Sequence, residues 1–286
     1  MPSYCKATVS TPALPRCNSM STYGTACWHH LNFRWRKPTP RDRQSAMDAC
    51  PICDGVQTAF YARQDDYNFV VCRNCGFVFL LPMPSAAALA AVYDDAAFDV
   101  ARYPKARSRM RRAMFRALGL WPHFFRKDAI DVGCGGGFVA ESMRRLGARV
   151  AGLDISPGSI AYAKDAFPGV RFFEESFETF LARGETFDFI HSSEVIEHIG
   201  DVKSYMAFLA GIARPGARVF LTTPDIAHPT VPEDVTKWDM LSPPRHVQLF
   251  TEATLTRLFE AHGFDIVKRY YKKNAPTLQV LARKRV

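Results

Sequence analysis

The sequence predicts an α/β protein: a doubly wound, mostly parallel seven-stranded sheet preceded by a small module built on four cysteines. Three observations predict it. The stretch Ile130-Asp-Val-Gly-Cys-Gly-Gly-Gly-Phe-Val-Ala140 reads as a buried strand, a glycine turn and the start of a helix. From Ala129 onward strand-like and helix-like segments alternate, which places helices on both faces of parallel strands. Upstream, Cys50-Pro-Ile-Cys53 and Cys72-Arg-Asn-Cys75 form two Cys-x-x-Cys pairs separated by eighteen residues.

Residues 1–46 carry no apolar period, five prolines, and seven Lys/Arg against Asp42 alone. We expect a disordered basic extension there. A transit-like segment and a natural start at Met47 are the competing readings. This stretch holds +6 of the formal charge of +9. The remainder is close to neutral, which argues against a nucleic-acid partner.

Residues 47–82 follow as the cysteine module. Paired knuckles at this spacing match a four-thiolate zinc site on Cys50, Cys53, Cys72 and Cys75, and the same ligands suit rubredoxin-type iron. Thiols committed to a metal fit a reducing cytoplasm better than disulfides do. The apolar residues within "FYARQDDYNFVVC" read as a hairpin.

Residues 83–128 form a helical lid or linker. Ser85 is the N-cap of a short helix from Ala86 to Tyr93, and a second helix runs from Lys105 to Leu118 with its arginines on the wet face. Tyr93, Phe98 and Tyr103 between them are candidate lid aromatics.

Residues 129–286 are the sheet domain. Strands are expected at 129–132, 149–154, 170–174, 187–192 and 218–223, with two closing strands in "FDIVKRYY" and "TLQVLAR". Ser156 and Pro157 make an N-cap and first-turn pair, Arg214-Pro-Gly216 is a turn, and the helix over 252–262 ends near Gly263. Ligands of such sheets sit at the carboxyl ends of the strands.

The glycine turn lies at that end. Gly133, Gly135 and Gly137 let the backbone turn and approach a ligand, and Asp154 closes the next strand where it can take both ribose hydroxyls. A dinucleotide site needs a small residue at position 138, and here it is Phe138. The pattern "IDVGCGGGF", with "GLDIS", "FDFIHSSEVIEHI" and "RPGARVFLTTPD", resembles class I S-adenosylmethionine methyltransferases of the group that includes ubiquinone-pathway O-methyltransferases. The resemblance implies a Rossmann-like methyltransferase fold over 129–283. It implies cofactor contacts from Asp131, Gly133, Gly135, Gly137, Asp154, Ile155, Ser176, Phe177 and Ser192. Ser176 stands where the family usually has an acid for the adenine. The knuckles with "GFVFLLPMPS" more loosely resemble relatives that modify sugars and cell-surface glycans.

Transfer needs a group that removes the acceptor's proton. Glu194-Val-Ile-Glu197-His198 follows the fourth strand, and positions i, i+3 and i+4 of a helical turn share a face. Similar runs bind a divalent metal in small-RNA 2′-O-methyltransferases and in ubiquinone-pathway enzymes, with a further histidine downstream, and His246 holds that place here. Three readings stay open: a second, divalent metal on Glu194, Glu197, His198 and His246; His198 as a base without metal; or a purely structural role for the run. His191 reads as core or supporting, and Cys134 as packing.

The expected function is methyl transfer from S-adenosylmethionine to a small molecule, with a sugar nucleotide or glycan as candidate acceptor. The alternatives are an RNA methyltransferase whose ribbon grips RNA, and a non-enzymatic module that binds the cofactor or a partner. No stretch has the ~18 apolar residues of a membrane span. Oligomeric state is not legible.

Overall fold

The computed structural model describes residues 49–92 and 105–286. The extension at 1–46 and the lid aromatics Tyr93, Phe98 and Tyr103 lie outside the described residues.

The chain enters through a hairpin. β1 (Thr58–Gln64) and β2 (Tyr67–Cys72) pair antiparallel across Asp65–Asp66, with Asp65 left-handed at φ 52°. β3 (Val78–Leu80) adds to β2. The short helix α1 (Ala86–Ala91) is capped by Ser85, whose Oγ accepts the Ala88 amide at 3.2 Å.

Helix α2 (Ala106–Phe124) outruns the expected stop at Leu118. Gly119 meets nothing that forces a break, and Pro122 is accepted within the last turn. Ala113, Ala117, Leu120 and Phe124 form its buried stripe at helical spacing.

The main sheet then assembles from β4 (Asp128–Val132), β5 (Arg149–Asp154), β6 (Arg171–Glu174), β7 (Phe187–Ser193), β8 (Ala213–Pro224), β10 (Phe264–Arg269) and β11 (Thr277–Lys284). Its spatial order is β10-β11-β8-β7-β4-β5-β6. Among these seven strands β11 alone runs against the rest. The connecting helices are α3 (Phe138–Arg145), α4 (Pro157–Ala166), α5 (Phe177–Leu181), α6 (Val202–Ile212) and α7 (Glu252–Ala261). Ser156 caps α4 as expected, its side chain accepting the Ser159 amide at 3.3 Å.

β8 starts five residues before the expected Arg218, because Arg214-Pro-Gly216 is an irregularity inside the strand rather than a turn before it. Phe187 faces Ala213 but Phe189 faces Arg218, and Gly216 absorbs the extra residues at φ 77°.

A two-residue strand, β9 (Gln248–Leu249), was not legible in the sequence. It pairs with β3, so the second sheet runs β1-β2-β3-β9. Cys50, Cys72, Phe77 and Phe79 share one apolar core with Val219 and Leu221 of β8 and Met206 of α6.

The amino-terminal ends of the parallel strands are tied by charge. Arg149 donates to Asp128 at 2.6 Å, and Arg214 Nη1 bridges Asp128 and Asp188 at 2.8 Å each. The Arg149 hydrogen bond, against a smaller cost of burial and with help from Arg214, holds the Asp128 carboxyl below its usual range. A depressed carboxylate stabilises fully above its unfolded pKa and stops doing so as pH falls through the folded value. Arg214→Met is therefore expected to cost about 1 kcal/mol at neutral pH, with the gap to the parent closing below about pH 4. Thermal denaturation across pH checks this; an equal gap at pH 7 and in acid would contradict it.

Candidate active site

The turn between β4 and α3 is built from left-handed glycines: φ is 69° at Gly133, 49° at Gly135 and 77° at Gly137. A Cβ on Gly133 would stand 2.3 Å from Val195 Cγ2. The turn is fastened to β5 from below. Gly133 and Cys134 donate to the Leu153 carbonyl at 2.8 and 3.0 Å, and Gly135 donates to Asp154 Oδ2 at 2.7 Å. The other oxygen of Asp154 accepts the Ser156 amide at 3.0 Å. Asp154, expected to hold ribose, thus also holds the turn. A carboxylate has about four acceptor positions, so the two roles are compatible.

Above the turn opens a cleft of about 600 Å³, within the size range of ligand pockets. Asp131, Gly133, Gly135, His191, Ser193 and Glu194 form its floor and far wall. Arg109, Arg112 and Arg116 line it from α2. These arginines recur at i, i+3 and i+7, one face of a helix; Arg112 and Arg116 are exposed, as expected, and the same face borders the open cleft. Arg116 Nη1 donates to Ser193 Oγ at 2.8 Å.

Asp131 and His191 face each other across β4 and β7 and are both buried. His191 Nδ1 lies 2.7 Å from Asp131 Oδ1, and His191 Nε2 has no hydrogen-bond partner among the described residues. An orphaned buried nitrogen on the wall of a cleft suits a polar ligand. His191, expected as core or supporting, is buried and stacks on Phe220, and it also borders the cleft.

At the mouth of β7 the chain kinks. Glu194 adopts φ 58°, a strained choice for a residue with a Cβ. Its amide donates to the Thr222 carbonyl at 2.9 Å, and its Oε1 accepts from Thr222 Oγ1 at 2.7 Å. A single 3₁₀ turn, Ile196–His198, follows in place of the α-helical turn implied by the sequence.

Glu197 is fully buried. Oε2 accepts from Thr223 Oγ1 at 2.9 Å, while Oε1 has no hydrogen-bond partner among the described residues and lies 4.0 Å from His198 Nε2. Burial first, and the charge of Glu194 second, push the Glu197 carboxyl well above its usual range.

His198 Nδ1 is 2.7 Å from the Arg245 carbonyl, and His246 Nδ1 is 2.6 Å from the Met240 carbonyl. A carbonyl accepts only, so each Nδ1 carries a proton, and in the neutral ring the lone pair is on Nε2. The two ring centroids are 4.8 Å apart. Burial lowers the pKa of His246 and keeps it neutral. Ligand atoms of Glu197, His198 and His246 all fall within 4.8 Å of one another. Three of the four expected residues therefore converge; Glu194 is bonded to Thr222 but stays close enough for its charge to act on Glu197 and His246.

A family model described as a methyltransferase domain matches residues 105–269, more than half of the chain. The chain belongs to the methyltransferase-domain family. The ubiquinone biosynthesis O-methyltransferase of Methylobacterium sp. (strain 4-46) is 40% identical over 98 residues, 33% of this chain and 39% of that protein. The protein of the same name from Sinorhizobium fredii is 31% identical over 150 residues, 49% of this chain and 60% of its own. This chain thus spans about half the length of the curated relatives it matches. The magnesium protoporphyrin IX methyltransferase of Synechocystis PCC 6803, solved with bound S-adenosylhomocysteine, overlays with a TM-score of 0.53 at 17% identity. The match covers 70% of this chain and 100% of that one, and shows a shared fold.

The remaining expected cofactor residues of this methyltransferase domain fall into two groups. Asp154, Ile155, Ser176 and Phe177 lie at or just beyond the carboxyl ends of β5 and β6 and are not among the residues lining the cleft. Ile155 is exposed, Ser176 caps α5 by accepting the Thr179 amide, and Phe177 packs on Tyr205 and Phe208. Ser192 is the exception. It is buried with its Oγ 2.6 Å from the Tyr205 hydroxyl, and the next residue, Ser193, reaches the cleft in its place.

The four cysteines converge as expected. Cys50 and Cys75 sulfurs are 3.5 Å apart, those of Cys53 and Cys72 3.6 Å, and all four lie within 4.8 Å of one another as free thiols. A tetrahedral zinc with bonds of about 2.3 Å needs sulfurs about 3.8 Å apart, so this set fits one metal. Asn74 Nδ2 donates to Cys53 Sγ at 3.3 Å, a contact that steadies a thiolate.

Gly133→Ala is expected to cost about 2 kcal/mol from left-handed strain alone and to weaken binding of S-adenosylhomocysteine, since the turn must shift away from Val195. Thermal denaturation and calorimetric titration check both effects. Wild-type values would contradict the geometry described.

Proposed function

We propose that this chain transfers a methyl group from S-adenosylmethionine to a hydroxyl of a small molecule. One observation carries the reading. Two imidazoles whose Nδ1 atoms face backbone carbonyls, beside an orphaned carboxyl oxygen, follow directly on Glu194, which lines the glycine-turn cleft, and Val195, which packs on Gly133.

When bound, the cofactor supplies an electrophilic methyl on a sulfonium. Asp131 and the turn at Gly133, Gly135 and Gly137 would hold it, with Asp154 and Ile155 at the ribose side. Ser176, Phe177 and the backbone at Ser192 would complete the surround. The task left to the chain is to bring an oxygen in line and remove its proton. In the version without a metal, Nε2 of His198 or His246 would take that proton, the oxygen would bond to the methyl carbon, and the carbon–sulfur bond would break with its electron pair left on the thioether.

The orphaned Glu197 Oε1 favours the version with a divalent metal over a bare base. Burial and the charge of Glu194 favour the neutral form of this carboxyl, and an ion shared with His198 and His246 would let it stand as a satisfied carboxylate. Such an ion supplies charge that lowers the pKa of an acceptor hydroxyl.

Glu194 lines both the cleft and a second cavity of about 410 Å³. That cavity has Trp238, Met240 and three prolines as walls, with Lys237 and Asp239 among its polar groups. Flat apolar walls suit a hydroxylated ring. A sugar nucleotide or glycan fits the resemblance of the cysteine module, and the name of the relatives points instead to a quinol-type ring. The four-thiolate set would hold a structural zinc.

His198→Ala is expected to lower kcat by about 10²–10⁴-fold, with affinity for S-adenosylhomocysteine unchanged. Asp154→Ala should weaken that affinity. EDTA should abolish activity and Mg²⁺ or Mn²⁺ restore it. Activity indifferent to EDTA, with a single ionisation on the pH–rate limb, would select the bare base. Tight binding of NADH with none of S-adenosylhomocysteine would overturn the cofactor. Metal analysis should find about one zinc equivalent, lost in a Cys50→Ser/Cys53→Ser variant.

A further inference from the structure

We propose that the four-cysteine module is the clamp that sets His246 against Glu197 and His198. This rests on the reading of those three residues as the group that activates the acceptor. It assigns the module a task at the methyl-transfer site itself, rather than that of a separate grip on substrate.

The path is continuous along the backbone. The second knuckle closes on itself through Gly76 N–H to the Cys72 carbonyl and Cys72 N–H to the Phe77 carbonyl, both at 2.8–2.9 Å. β3 leaves the knuckle directly. The Leu80 amide then donates to the Val247 carbonyl at 2.9 Å, and the Val247 amide donates to the Glu197 carbonyl at 2.9 Å. Val247 is fully buried and adjoins His246. One peptide-bonded residue is thus held from both sides: by the cysteine module at its carbonyl, and by the Glu197–His198 turn at its amide.

Side chains repeat the connection. Gln248 Nε2 donates to the Ile199 carbonyl. Phe77, two residues after Cys75, packs its ring 5.1 Å from that of Phe250. Asp54, next to Cys53, pairs with Lys203 of α6 at 2.5 Å.

The physical consequence follows from scale. β3 and β9 are three and two residues long, too short to hold position by themselves. A metal on four thiolates supplies the folding energy that such a small module lacks. A metal site tolerates errors of only about 0.2 Å in its ligand distances. Loosening the knuckle therefore removes the restraint on the His246 side of the cluster, while the glycine turn, fastened to β5, keeps its shape.

The test breaks the path at both ends in the full chain. Leu80→Pro deletes the amide that holds Val247 and leaves all four cysteines. Cys53→Ser weakens the thiolate site at a partly exposed ligand. Three quantities are read: hydrogen exchange of the peptide spanning 246–250, Mn²⁺ affinity by electron paramagnetic resonance, and affinity for S-adenosylhomocysteine. Both variants are expected to lose protection over 246–250 and to weaken Mn²⁺ binding about tenfold or more. Cofactor affinity should stay within about twofold of the parent. If Leu80→Pro does not fold, Cys53→Ser decides. Metal lost from the cysteines with exchange at 246–250 unchanged overturns the clamp. A parent protein that binds no Mn²⁺ removes the divalent-metal reading only, and the clamp then stands or falls on the exchange of 246–250.

Discussion

The turn after β4 is the constraint on which the site depends. Three residues there take φ values that cost a side chain about 1–2 kcal/mol each, so only glycine takes them freely. The turn is then pinned to β5 by the Leu153 carbonyl and the Asp154 carboxylate. Because β4, β5 and β7 run parallel, their carboxyl ends lie at one edge. Asp131, Asp154 and the chain beyond Ser193 arrive there by topology alone. Nothing about this edge requires long-range charge; the charged network of Asp128, Arg149, Asp188 and Arg214 lies at the opposite end.

The second half of the site is assembled differently. His246 reaches His198 from 48 residues downstream through an irregular segment, not through a sheet strand of the main layer. Such a segment needs outside restraint, and β3 and the Glu197–Gly200 turn supply it through backbone and side-chain hydrogen bonds. The proposed site thus joins an edge fixed by glycine geometry to a histidine pair held by short strands and turns. Glu194 marks the seam. Its left-handed backbone turns the chain out of β7 and leaves its carboxylate between the two cavities.

Much of this was legible in the sequence because it is local chemistry. Glycine spacing, the paired Cys-x-x-Cys and the carboxylate-histidine run each state their own requirement within a few residues. The seven strands followed from alternation. What was not legible depends on direction or distance. Along β7, side chains alternate between faces, so His191 and Ser193 share the cleft side and Ser192 points to Tyr205. The Ser192 side chain therefore turns inward, and the side chain at the cleft is that of Ser193. The arginines of α2 are largely exposed, as their charge implies, but that three of them border the cleft depends on how the helix docks. β9 has two residues and no periodic signal, and only its partner β3 defines it.

The central claim is that the glycine-turn cleft and the Glu197–His198–His246 cluster form one methyl-transfer site. The most direct measurement is a crystal structure with S-adenosylhomocysteine, read as the distance from the thioether sulfur to His198 Nε2. An in-line transfer with a base in hydrogen-bond reach of the acceptor oxygen places that sulfur within about 8 Å of the nitrogen. The account predicts such a distance, with the amino-acid end of the cofactor in the cleft between the turn and α2. A cofactor bound elsewhere, or one whose sulfur faces away from the histidines at more than about 12 Å, would contradict it.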